Sequence, residues 1–128
     1  MIDDDPLVLE IAQEALRQEG LRILSAGSPE SGLDIFFKER PQIVITDLMM
    51  PRVSGMEVLE RIIAADPAVE VILLTGHYST DSAVKAIQKG ACDYLTKPPD
   101  LFKLRAKVGQ LIREAAVRKR ALSLDHEL

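Results

Sequence analysis

The residues with most chemistry to offer are carboxylates, a hydroxyl and an ammonium, each standing after a short apolar run. Asp3, Asp4 and Asp5 follow the stub Met1-Ile2, and Asp47 follows Gln42-Ile43-Val44-Ile45-Thr46. Thr75 ends the run Val69-Glu70-Val71-Ile72-Leu73-Leu74, and Lys97-Pro98 follows Asp93-Tyr94-Leu95-Thr96. Clustered carboxylates repel one another and stay ionised together only if a cation is supplied. Hard carboxylate and carbonyl oxygens favour Mg²⁺, which keeps several waters and bridges readily to a phosphate. Lys97 adds a compact positive charge able to pair with a phosphoryl oxygen, and the Thr75 hydroxyl can donate a hydrogen bond to another. In such a set Asp47 is the nucleophile and the product is an aspartyl phosphate. The metal and Lys97 would stabilise charge on the transferring group.

Such a set works only if one framework brings the run ends together. Residues 42–46 and 69–75 are near-continuous apolar runs rich in β-branched residues, as expected of strands buried on both faces. Leu21-Arg22-Ile23-Leu24-Ser25 and Asp93-Tyr94-Leu95-Thr96 are shorter strand candidates. Helical patterns lie between them. Leu7, Ile11, Ala15 and Leu16 mark a stripe closed by Gly20. Ser28 can cap a helix with Pro29 at its first position, followed by Leu33, Ile35, Phe36 and Phe37. Gly55 precedes a helix carrying Val58, Leu59, Ile62 and Ile63, ended before Pro67. Ser79-Thr80-Asp81 starts another with Ala83, Val84 and Ile87, ended by Gly90. Asp5 suits the cap of the first helix, with Pro6 at its first position. Strands alternating with helices imply parallel pairing through right-handed crossovers, hence a doubly wound α/β sandwich. In such a sheet, ligands bind beyond the carboxyl ends of the strands, where these polar residues fall. The strand that should carry Asp3 and Asp4 is nearly absent, because only Met1 and Ile2 precede them.

Bulk properties narrow the function classes. A chain of 128 residues fits one domain, and 47% hydrophobic with 28% charged residues is the balance of a globular protein. The net charge of −4 argues against direct nucleic-acid binding. One cysteine, Cys92, allows no internal disulfide and suits packing as a small hydrophobe. There is no apolar run near the roughly 18 residues that a membrane span needs, and the acidic start is unlike a signal peptide. A cytoplasmic protein with no membrane contact is the simplest expectation.

The segment Asp47-Leu48-Met49-Met50-Pro51-Arg52-Val53-Ser54-Gly55 resembles the acceptor segment of response-regulator receivers, D-x-x-M-P-x-x-x-G. The early acidic cluster, Leu74-Thr75-Gly76 and Asp93-Tyr94-Leu95-Thr96-Lys97-Pro98 match that family in order and spacing, over about residues 3–105. The resemblance implies a flavodoxin-like receiver: a five-stranded parallel sheet of order 2-1-3-4-5 with helices on both faces. It also implies that Asp47 receives a phosphoryl group from a sensor histidine kinase, and that the chain is a phospho-acceptor rather than an enzyme. Asp3 and Asp4 would build the acidic metal site, Asp4 the more direct ligand, with Asp47 and the backbone carbonyl of Met49, for Mg²⁺ or Mn²⁺. Lys97 would contact the phosphoryl group. Thr75 and Tyr94 would be paired switch residues that remodel the surface of the fourth helix, fifth strand and fifth helix, about residues 80–107. Two family positions tune phosphate lifetime, here Met49 and His77. Met49 cannot hydrogen-bond an attacking water, so a longer-lived phosphoaspartate is expected than with an amide there.

From Asp100 onward Leu101, Leu104, Val108, Leu111 and Ala115 repeat at steps of three and four, near heptad a and d positions, and Arg118 breaks the series. The expected division is a receiver over residues 1–112, its last helix starting near 100, and a helical extension over 113–128. The extension resembles the linker that joins receivers to an AAA+ ATPase and DNA-binding module in the nitrogen-regulation (NtrC) class of activators. A homodimer through that helix, or through the fourth helix, fifth strand and fifth helix, is the expected assembly. Two other functions stay open. One is a stand-alone adaptor receiver. The other is a phosphatase with an aspartyl-phosphate intermediate, which resembles a D-x-D arrangement; here the second position is Met49, which cannot transfer a proton. The blander readings are a solvated aspartate run, a turn-closing lysine, a half-buried tyrosine and an ordinary last helix.

Overall fold

The structure, a computed structural model, describes residues 1–17 and 21–127. Helices α1 (Pro6–Leu16), α2 (Pro29–Glu39), α3 (Gly55–Ala65), α4 (Thr80–Gln88) and α5 (Leu101–Glu127) alternate with strands β1 (Ile43–Asp47), β2 (Glu70–Thr75) and β3 (Asp93–Thr96). The strands form one parallel sheet of order β1-β2-β3. Beyond β1, Ile2 makes single parallel bridges to Thr46 on one side and Ala26 on the other. The full order is therefore Ala26, Ile2, β1, β2, β3, the 2-1-3-4-5 arrangement, with its first two lines reduced to a rung each. The expected strand at Leu21–Ser25 is not formed as a ladder. Its neighbour offers only Met1 and Ile2 before Asp3, so pairing is limited to contacts such as Ala26 N–H to Met1 O (2.9 Å) and Asp3 N–H to Ala26 O (3.1 Å).

Alternation along the strands builds two cores. Val44, Val71 and Leu73 face Leu33 and Phe36 of α2, Val58, Leu59 and Ile62 of α3, and Ala86 of α4. Ile45, Ile72 and Leu74 face Leu16 of α1 and Leu104, Val108 and Leu111 of α5. Helix starts follow side-chain capping: Asp5 accepts the Leu7 amide, Ser28 the Ser31 amide, Ser54 the Glu57 amide and Ser79 the Ser82 amide. The Asp100 carboxylate accepts the amides of Phe102 and Lys103 at the start of α5. The expected stop at Gly20 lies outside the described residues.

Three helical stripes sit differently from expectation. Leu7 and Ile11 of α1 are exposed, and Ala12 with Leu16 turns inward. On α4, Val84 and Ile87 are half exposed and Ala86 is the buried position. On α2, Phe37 lies outward beside Phe36, and Arg40 packs over both rings. No described helix is long and apolar enough to cross a membrane.

Candidate functional site

The bridge at Ile2 gathers the site. Its carbonyl accepts the Asp47 amide at 2.8 Å and its amide donates to Ile45 O at 2.8 Å, which seats Asp3 beside the end of β1. Thr75 O accepts the Lys97 amide at 2.7 Å, which fixes the exit from β3 at the same edge. The Lys97–Pro98 peptide is cis. The Lys97 ammonium lies 2.6 Å from Asp3 Oδ2 and 3.2 Å from Asp47 Oδ2. Asp3 is fully buried and Asp47 nearly so, whereas Asp4 is exposed at the rim. Carboxylate oxygens of Asp3, Asp4 and Asp47 lie within 4.8 Å of one another. An all-oxygen carboxylate trio open on one side fits a hard divalent cation that keeps several of its waters.

Electrostatics follow from this crowding. Burial pushes the Asp47 carboxyl above its ordinary range, and the charge of Asp3 adds to the effect. The Lys97 ammonium and the Met49 amide, which donates to Asp47 Oδ1 at 3.3 Å, offset only part of it. Burial alone would lower Lys97, but its hydrogen bond to Asp3 and the charges of Asp3 and Asp47 outweigh that and raise it. Lys97 is thus a firm ammonium serving as counter-charge to two buried carboxylates.

The other residues named from the sequence fall around this cluster. Asp5 caps α1 instead of joining it, as expected; its amide also donates to Asp3 Oδ1 at 2.9 Å. Thr75 is fully buried at the end of β2, but its hydroxyl bonds locally, donating to His77 O (3.3 Å) and accepting the His77 amide (3.0 Å). Tyr94 is buried in the core shared with α3 and α4. The Met49 side chain and His77 are exposed at the rim.

Two contributors were missed from the sequence. A Cβ on Gly55 would stand 2.1 Å from Asp47 O and 2.8 Å from Leu48 Cα, and the Gly55 amide donates to Leu48 O at 2.9 Å. Only a glycine lets α3 start against the backbone of the turn after Asp47. Its place at the end of the Asp47–Gly55 segment was the available signal. The other is Tyr78, whose ring meets Tyr94 edge to face with centroids 5.5 Å apart. No feature of the sequence pointed to it.

Comparisons with known proteins bear on the fold that carries this geometry. The family model described as response regulator receiver domain matches residues 1–109. The chain is 32% identical over 117 residues to the probable transcriptional regulatory protein TcrX of Mycobacterium tuberculosis, covering 91% of this chain and 50% of that protein. It is 34% identical over 112 residues to the DNA-binding transcriptional regulator NtrC of Klebsiella pneumoniae, covering 88% and 24%. A receiver domain crystal structure from Clostridium thermocellum superposes with a TM-score of 0.83 at 36% identity, covering 91% of this chain and 94% of that one. The chain therefore spans from about a quarter to half the length of these two curated relatives.

Proposed function

The chain belongs to the response regulator receiver domain family, and from that premise we propose that it takes a phosphoryl group from a sensor histidine kinase onto Asp47. The observation that carries this reading is the Lys97 ammonium, held between the buried carboxylates of Asp3 and Asp47 with Asp4 at the rim. An Asp47 carboxylate oxygen attacks phosphorus while the phosphorus–nitrogen bond to the donor imidazole breaks. The electron pair returns to that nitrogen, which takes a proton from water. Lys97 pairs with a phosphoryl oxygen as charge shifts from donor to acceptor, and Thr75 turns its hydroxyl from His77 toward another. Asp3, Asp4 and Asp47, with the Met49 backbone carbonyl, would hold Mg²⁺ or Mn²⁺, which supplies further charge neutralisation when bound. On this reading the chain is a switch, not an enzyme with turnover on a separate substrate.

Relatives such as NtrC are transcriptional regulators. The proposed partners are the kinase, a transcriptional output domain of AAA+ ATPase and DNA-binding type, and a second copy of this chain. The proposed division is a receiver over 1–112 and a helical extension from 113, in the cytoplasm. Incubation with acetyl phosphate and Mg²⁺ should add one phosphoryl group by intact mass, absent in Asp47→Asn. In the same assay Met49→Asn should shed it several-fold faster, since an amide can orient water and a thioether cannot. An unlabelled wild-type chain overturns the reading.

A further inference from the structure

We propose that Tyr78 is a positioning residue for the switch, its ring clasping Tyr94 in the buried position before any phosphoryl group arrives. The inference rests on Tyr94 acting as the switch aromatic in the function proposed above. Tyr94 is 8% exposed, and its hydroxyl finds no hydrogen-bond partner among the described residues. A buried hydroxyl without a partner works against the inward position, so packing must hold the ring there. Tyr78, itself 57% exposed, supplies that packing from the β2–α4 loop, its ring tilted 68° to that of Tyr94.

The loop presents Tyr78 in a fixed pose. Immediately before it, His77 is tied through both its amide and its carbonyl to the Thr75 hydroxyl. Immediately after it, Ser79 caps α4. Tyr78 is pinned on both sides, so it can act as a latch at small entropic cost. Its backbone anchor is the hydroxyl proposed to sense the phosphoryl group. Tyr94 thus waits in the inward position, and labelling of Asp47 does not have to drag the ring out of solvent.

The chain has two tyrosines and no tryptophan, so nitration by tetranitromethane followed by peptide mass mapping reads each ring separately. In the resting wild type, Tyr78 should be nitrated and Tyr94 protected. Tyr78→Leu should raise Tyr94 nitration several-fold and slow acetyl phosphate labelling of Asp47, whereas Tyr78→Phe, which keeps the ring, should change neither. Ring-to-ring nuclear Overhauser contacts in the wild type supply an arm that needs no variant to fold. The clasp is overturned if those contacts are absent, if Tyr94 is nitrated as fast as Tyr78 at rest, or if Leu and Phe behave alike. Normal labelling in a Tyr78→Leu chain with exposed Tyr94 removes its role in the switch. Loss of labelling in the wild type counts against the receiver function alone, since protection at rest needs no phosphate.

Discussion

Asp47, the proposed nucleophile, sits under electrostatic load. Its carboxylate is buried beside that of Asp3, and the Lys97 ammonium is shared, closer to Asp3 (2.6 Å) than to Asp47 (3.2 Å). Because its carboxyl is held above the ordinary range, the folded state binds that proton more tightly than the unfolded chain does. Stability therefore falls as pH rises from the ordinary carboxylate range through the raised folded value, then stays lowered at neutral pH. Asp47→Asn removes the charge and the repulsion, and Lys97 keeps its shorter contact to Asp3. The variant should be more stable than wild type by about 1 kcal/mol at neutral pH in a chelator, with the gain shrinking at acid pH. Thermal melts at both pH values check this; an Asn variant less stable at neutral pH contradicts the account. Added Mg²⁺ should narrow the gap by stabilising the wild type more.

At the scale of elements, the start of α3 packs against the backbone of the turn after Asp47. Gly76, at the end of β2, has nothing within 4 Å of a built Cβ, whereas Gly55 meets the Asp47 and Leu48 backbone. Gly55→Ala should cost about 2 kcal/mol by overpacking and slow acetyl phosphate labelling, while Gly76→Ala should leave labelling near wild type. Paired melts and intact-mass time courses test this, and equal behaviour of the two would refute it. The contrast also shows what the sequence could carry. Asp47, Thr75 and Lys97 were legible because each ends an apolar run, and strand ends of a parallel sheet share one edge. The salt link between Lys97 and Asp3 spans 94 positions, so nothing local announced it. Periodicity placed Val58, Leu59 and Ile62 of α3 inward, but it did not show which apolar residues of α4 face the core. On α4 small Ala86 fits against the sheet, leaving Val84 and Ile87 outside. Leu21–Ser25 had strand composition, but a strand needs a neighbour of equal length, and the Met1-Ile2 stub offers one rung.

Over the whole molecule, packing and the proposed pairing would compete for the same stripe of the long last helix. With 27 residues, α5 is about 40 Å long. Its seam Leu104, Val108 and Leu111 is buried against the sheet, so within the domain those positions cannot also join a partner helix. The seam stays near the body further on: Ala115 is half-buried and Arg118 reaches Glu70 at 3.9 Å. The apolar side chains left facing solvent include Val84 and Ile87, three apart on one face of α4, and Val117 on the extension. Tyr94 packs beneath α4, in the same core cluster as Ala83 and Ala86, so a change at this proposed switch residue would reach the α4 surface before Val117. The phosphorylated chain should therefore pair through α4. A carboxylate buried in that contact would have no partner, and even about 1.4 kcal/mol of desolvation weakens the dimer tenfold. Ile87→Glu should raise the dimer dissociation constant at least about tenfold, while Val117→Glu changes it little. Sedimentation equilibrium of the acetyl-phosphate-treated chains distinguishes the cases. A dimer broken by Val117→Glu and spared by Ile87→Glu would place the seam on the extension, with the switch acting through the α5 stripe that the domain core already occupies.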